Sequence, residues 1–468
     1  MTLLRASDTP PPHTTQRVSH AQQLLHRIHF FAGIFCAPFI LIAALTGLVY
    51  SLSPTIENIA YRDVLTVENV PADPSEAALP TSELVDIAQE QHPSLSLSGV
   101  RFGEESETIR VLFTDSTLPE STLRAVFINP YTGEITGDST QYGSSAALPF
   151  RHWVSQGHRM LWMGEPGRIY SELAASWLGV LAIGGFVLLW NRQKSPRKLR
   201  GMLRLGGKGR VKNYRRHAAL GTVAGVGFVF LTLTGLTWSA YAGNNVTELR
   251  EALNWTQPTI QTSVDAAPVA HHHEEASTSH ADLNTIDQVA HTTGAELRAP
   301  FTITPPSEDG LAWTATENRQ AYRLSNDSIA IDGRSGDVVS RLNFAEWPLA
   351  AQASSWLIQL HMGTLFGLPN QIALAGLALA VIAMIIFGYS MWWARRPRAG
   401  LPANPRRAQH TRRGWGTWAL YLALIVYAMC APLFGISLVV FLALSSGWRA
   451  LRRRQLGRRQ AQGFEAQI

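Results

Sequence analysis

The chain has 468 residues, of which 46% are hydrophobic and only 16% charged, and carries a net charge of +6. Its two cysteines, Cys36 and Cys430, both fall within apolar stretches, which excludes a disulfide framework and a cysteine-held iron–sulfur cluster. The basic excess sits in short loops and the C-terminal tail while the acids collect in two long segments, so no nucleic-acid partner is needed to account for it.

In chain order, residues 1–28 precede a first apolar block, Phe30 to Leu52, whose roughly 23 uncharged residues would rise about 34 Å as a helix and cross a bilayer. This block is longer than the roughly 7 to 15 apolar residues of a signal peptide and reads as a retained anchor, residues 29–52. A polar segment, 53–170, leads to a second span at 171–191, followed by a loop at 192–216 that is rich in Lys and Arg and has no acid. A third span at 217–241, a second polar segment at 242–371 and a fourth span at 372–394 repeat the order, and 395–414 is again basic. The last apolar stretch, 415–447, is interrupted at Ala431-Pro432, where proline removes a backbone donor. A hairpin there keeps the arginine-rich tail, 448–468, on the side of the other basic loops, as the positive-inside rule favours; a single kinked helix would not. By the same rule the N-terminus and basic loops are cytoplasmic and the two acidic segments extracytoplasmic.

The chain repeats itself. Adding 188 to His29, Gly33, Thr46, Gly47, Leu48 and Ser51 gives His217, Gly221, Thr234, Gly235, Leu236 and Ser239. Adding 203 to Trp153, Gln156, His158, Gly164, Pro166, Trp190 and Arg192 gives Trp356, Gln359, His361, Gly367, Pro369, Trp393 and Arg395. The step of 15 between the registers implies an insertion in the second polar segment, and the loop from His271-His272-His273-Glu274-Glu275 to His280 is the candidate. Each unit has two spans, so the copies are parallel. Within the polar segments, Leu84 to Gln91 reads as a helix, and Thr108 to Thr114 and Leu123 to Ile128 as strands. Asn129-Pro130-Tyr131-Thr132-Gly133-Glu134 and Asp332-Gly333-Arg334-Ser335-Gly336-Asp337 read as equivalent hairpin turns. The expected fold is an α-helical integral membrane protein of duplicated helix, α+β domain, helix units on a four-helix core, plus a C-terminal hairpin or kinked helix.

These turns, the helix-initial His29 and His217, and the His-x5-Gly-x-Pro motifs at His158 and His361 resemble the PepSY-associated transmembrane family, often described as iron-regulated membrane proteins. The resemblance covers nearly the whole chain and implies that the two external domains are PepSY-like. Members of the family include FoxB-like inner-membrane reductases of ferric siderophores carrying b-type haem, which implies the same cofactor and activity here.

A membrane electron carrier needs a one-electron cofactor, and six-coordinate haem needs two neutral imidazoles facing each other. Duplication offers two pairs: His29 with His217 at the cytoplasmic ends of equivalent helices, and His158 with His361 before the second and fourth spans. Gly33 and Gly221 lie four residues after their histidines, on the same helix face, leaving it flat for a porphyrin. Gly47 and Gly235, eighteen residues on, return to that face. His26 and His152 have no duplicated counterpart and rank as reserves. Arg151, Arg159 and Arg168 correspond to Ser354, Met362 and Gln371 in the second copy, so basic charge gathers beside one histidine, where it would meet haem propionates, an anionic chelate or lipid headgroups. Isolated histidines at an interface more often anchor than ligate, and glycines in spans often serve close packing. Retention through a duplication favours two b-type haems held by these four histidines. The expected function is electron transfer to a ferric siderophore or other ferric chelate outside, from an unidentified cytoplasmic or quinol donor. Two rivals are a PepSY-domain membrane anchor that binds peptide or regulates a protease without cofactor, and a permease, against which the absence of ionisable residues deep in the four spans argues.

Overall fold

The computed structural model describes residues 19–193, 206–264, 285–396 and 414–447. The helices are α1 (His20–Phe35), α2 (Ala37–Ala60), α3 (Arg62–Leu65), α4 (Pro74–Ala77), α5 (Thr81–Gln91), α6 (Pro149–Met160), α7 (Glu165–Gln193), α8 (Gly209–Thr237), α9 (Tyr241–Ala252), α10 (Ile286–Glu296), α11 (Leu349–Met362), α12 (Gly367–Trp393), α13 (Trp415–Cys430) and α14 (Pro432–Gly447). The strands are β1 (Ser96–Phe102), β2 (Ile109–Thr114), β3 (Thr122–Ile128), β4 (Ile135–Tyr142), β5 (Phe301–Thr304), β6 (Trp313–Glu317), β7 (Ser328–Ile331) and β8 (Val338–Leu342).

Four helices, α2, α7, α8 and α12, are long and apolar enough to cross a membrane. The first does not coincide with the apolar block at 30–52. Ser19 caps α1 by accepting the Gln22 amide, the helix ends at Phe35, and α2 begins at Ala37 and runs on to Ala60. Pro38 is the reason: it has no N–H to give the Ile34 carbonyl, which accepts from Tyr389 instead, and it sits in the first turn of α2, where the missing donor costs least. The apolar stretch 415–447 turns back on itself. A Cβ at Gly435 would lie 2.9 Å from Ala428 Cβ, and the rings of Tyr427 and Phe434 are 4.9 Å apart, which a straight or gently kinked helix cannot achieve for residues seven apart.

The chain divides into two compact units. One comprises the described residues up to Ile40, those within 173–232 and those from Ala383 onward. Here Trp177 donates to Ser437 Oγ at 3.0 Å, Tyr427 to the Ser176 carbonyl at 2.9 Å and Tyr389 to the Ile34 carbonyl at 2.7 Å, so apolar helices are tied by the polar tips of aromatic residues.

The other unit, 41–172 with 233–382, carries a single eight-stranded antiparallel sheet in the order β4-β3-β2-β1-β5-β6-β7-β8. Two small separate α+β domains were the expectation from sequence. Instead the two four-stranded meanders share one sheet, because β1 and β5 are each the open edge of a meander and pairing them satisfies the backbone groups an edge leaves bare. The approach is close: a Cβ at Gly99 would lie 2.7 Å from the Ile303 carbonyl oxygen. Alternation sorts the strands' residues between two faces. Val100, Val111, Val126, Ile303, Ala315 and Ile329 form one core with α5 and α10, while Leu112, Ala125 and Phe127 pack on Tyr61, Val64, Leu65 and Leu148. The His271–Glu275 loop and the arginine-rich tail lie outside the described residues.

Candidate functional site

The site begins with two helix turns. Each motif His-x5-Gly runs from the last turn of a short helix into a span, and the chain must bend sharply between them. Gly164 and Gly367, at φ 64° and 55°, occupy the left-handed region that only glycine enters without cost. Those bends place His158 in the last turn of α6 and His361 in that of α11.

His158 Nδ1 lies 3.1 Å from Thr46 Oγ1, and the Thr46 hydroxyl donates to the Ile42 carbonyl at 2.9 Å. With its own proton so committed, Thr46 accepts from the imidazole, which puts the proton on Nδ1 and leaves Nε2 as the free acceptor. Tyr50 stacks on the ring at 5.9 Å and 6°, and a Cβ at Gly47 would fall 2.9 Å from Cε1. Gly47 therefore makes room for the imidazole itself. His361 Nδ1 lies 2.6 Å from Thr234 Oγ1, the threonine 188 residues after Thr46. Both rings are largely withdrawn from solvent. Burial holds each imidazole down to about 4, with the neighbouring Arg159 charge adding to the effect at His158 and the charge of His158 adding to it at His361. Both are neutral at physiological pH.

In the other unit, His29 and His217 have ring centres 6.3 Å apart and planes at 88°. His217 Nδ1 is 3.0 Å from the Met384 carbonyl, which can only accept, so here too Nε2 is left as acceptor. His29 Nδ1 is buried beside the Leu181 backbone without a well-formed hydrogen bond. A Cβ at Gly185 would lie 2.9 Å from His29 Cε1, so this glycine, on α7, gives the ring its space. Gly33 borders open space, whereas the Gly221 position faces the Met384 methyl at 3.2 Å.

The arginines are employed differently from one another. Arg151 is buried and paired with Glu57 at 3.0 Å, and it also donates to the Ser145 carbonyl at 2.9 Å. Leu148 N–H takes the second Glu57 oxygen at 2.9 Å. Arg151, expected from sequence to meet propionate or substrate, is thus engaged in a structural ion pair whose carboxylate, on α2, sits beyond the apolar block. Arg159 donates to the Tyr142 hydroxyl at 3.1 Å, and Arg168 makes an exposed pair with Glu165 at 3.6 Å. His152 stacks on Tyr142 and contacts the Gln156 amide. Thr46 and Thr234 were visible only as repeat positions; their role appears once the histidines meet them.

Among the described residues no three or more His, Cys, Asp or Glu side chains converge as a cage for a bare metal ion. Histidine pairs suit a metal that brings equatorial ligands of its own, as haem iron does. The 6.3 Å between the His29 and His217 ring centres is close enough for both imidazoles to reach one metal. An acceptor held at Nδ1 is the usual support for a ligating Nε2, and three of the four rings have one.

Four apolar spans and a mixed helix-and-sheet region define a multi-pass membrane protein that contacts the lipid bilayer. More particularly, a family model for the PepSY-associated TM region matches residues 26–395, and the chain belongs to that family. A comparison with curated proteins finds no match.

Proposed function

We propose that this chain is a haem-carrying electron-transfer protein of the bacterial inner membrane that reduces ferric siderophores or other ferric chelates on the extracytoplasmic side. The observations that support the reading are the approach of His29 to His217 in one unit and, in the other, the two imidazoles of His158 and His361, each held at Nδ1 by a threonine, with Nε2 left as acceptor in His158 and His217. His29 with His217 would hold one b-type haem and His158 with His361 a second. When bound, haem supplies a one-electron couple that no side chain here provides. The protein's own part is to keep the imidazoles neutral and oriented, to leave glycine where bulk would obstruct them, and to exclude water with the apolar spans. The overall change takes one electron from a cytoplasmic or quinol donor and converts the chelated Fe(III) to Fe(II). The basic loops and acidic segments of the sequence favour an electron path from the cytoplasm outward. The matched contacts of Thr46 with His158 and Thr234 with His361 support an origin of the two halves by duplication.

The test is a visible spectrum of the detergent-purified protein, oxidised and dithionite-reduced, for the wild type, His29→Ala and His361→Ala. A six-coordinate b-haem spectrum that loses about half its intensity in each variant is expected. A colourless protein, even after expression with haem precursor, overturns the cofactor and leaves a peptide-binding or protease-regulating membrane anchor as the better account.

A further inference from the structure

Arg101 on β1 and Arg110 on β2 stand directly opposite each other in the antiparallel register, on the sheet face that also carries Phe127, partner of Arg110. Like charges in register repel, and such a pair is destabilising unless something balances it. Burial pushes Arg101 down to about 9, the Arg110 charge adding to it and Glu107 opposing it, and pushes Arg110 down to about 10 against the pull of Glu107 and Glu57. Arg110 lies over the Phe127 ring at 5.1 Å and donates to Gln141 Oε1 at 3.1 Å. The Arg101 guanidinium makes no hydrogen bond or ion pair among the described residues.

The row continues. Thr302 of β5 is the next residue opposite Arg101, it hydrogen-bonds Asn318 at 3.0 Å, and the following residue, Arg319, also has no hydrogen bond or ion pair among the described residues. Arg319 and Arg159 both lie in the electrostatic field of Tyr50, which stacks on His158. The acids that could answer these cations are few. Glu57 has both oxygens occupied by Arg151 and the Leu148 amide, and Glu107, at the exposed edge, accepts the Glu104 amide. Open guanidinium donors on a largely buried face, with too few carboxylates beside them, call for an anion with several oxygens.

We propose that Arg101, Arg110 and Arg319, with Arg159, form a docking site for the carboxylate groups of an anionic ligand beside His158. Two sources have this chemistry: the propionates of a haem, or a free polycarboxylate chelator. Only the first rests on the function proposed above.

Isothermal titration of the full-length protein in detergent with iron-free citrate tests the second source. Uptake of haem compared with haem dimethyl ester, by protein expressed under haem depletion and followed by absorbance, tests the first. For a free carboxylate ligand, citrate binds, and Arg101→Gln and Arg319→Gln each weaken it about tenfold or more, while Arg101→Lys weakens it less. For propionates, citrate does not bind, the wild type takes haem but discriminates against the ester, and the same Gln variants lose that discrimination. Arg319 lies in a loop, so its variant reports even where Arg101→Gln lowers the melting temperature. If neither citrate affinity nor ester discrimination differs between wild type and folded variants, the site is overturned. A colourless protein that binds citrate would keep this site and remove the haem reading.

Discussion

Glu57 is a carboxylate brought out of water near the end of a long apolar helix, and it persists there because Arg151 and a backbone amide answer both of its oxygens. Removing one partner of such a pair strands the other charge, at a cost of about 3–5 kcal/mol. Arg151→Leu is therefore expected to lower the thermal midpoint strongly, and Glu57→Gln with Arg151→Leu together less than the single change; an additive double variant would show that the pair is not coupled. The histidines carry a pH signature of the opposite kind. His158 and His361 remain neutral down to about pH 4 when folded but take up protons near 6.5 when unfolded. Between those limits the unfolded state binds more protons, so stability falls as pH drops from 6.5 toward 4, by on the order of 3 kcal/mol per ring. Unfolding midpoints of the haem-depleted protein, followed across that window, are expected to flatten in His158→Gln and His361→Gln. An unchanged slope would mean the rings are not the buried neutral groups found here. Of these residues, the histidines were legible in the sequence from their repeat spacing. Glu57, Arg101 and Arg319 were not, because a charge's importance depends on what shares its surroundings.

At the level of elements, the join between β1 and β5 has the least room for change. A side chain at Gly99 would press on the Ile303 carbonyl, a backbone atom that cannot step aside. Gly99→Val is expected to cost about 1–3 kcal/mol and to speed amide exchange in β1 and β5 ahead of β3 and β7. Uniform exchange across all four strands would mean that the sheet does not open at this seam. The strand and turn signals at 123–135 and 328–338 are realised as β3 with β4 and β7 with β8. Their alternation and turn residues are local properties, readable without a structure. The pairing of β1 with β5 is not local: the partners are some two hundred residues apart in sequence, and nothing in either strand names the other. The break at Cys36 lies between: Pro38 is a local feature, but the uncharged run 30–52 reads as one span.

For the whole molecule, four spans and a hairpin give an even number of crossings or returns, so both chain ends should lie on one side. Reporter fusions at the N-terminus and after residue 468 are expected to show the same, cytoplasmic, location. Opposite locations would require 415–447 to cross once, contrary to the reversal at Ala431. Charge and apolar length by themselves determined that four spans cross and which segments are acidic or basic, though not where the first span begins and ends, because bilayer thickness and backbone hydrogen bonding leave an apolar run of that length few alternatives. Only the tertiary structure decided that one sheet unites both polar segments, that Thr46 and Thr234 orient histidines, and that Arg151 is bound to Glu57 while Arg101 remains open. Each of these is a meeting of residues far apart in the chain, and hydropathy and spacing describe what a segment is, not which other segment satisfies it.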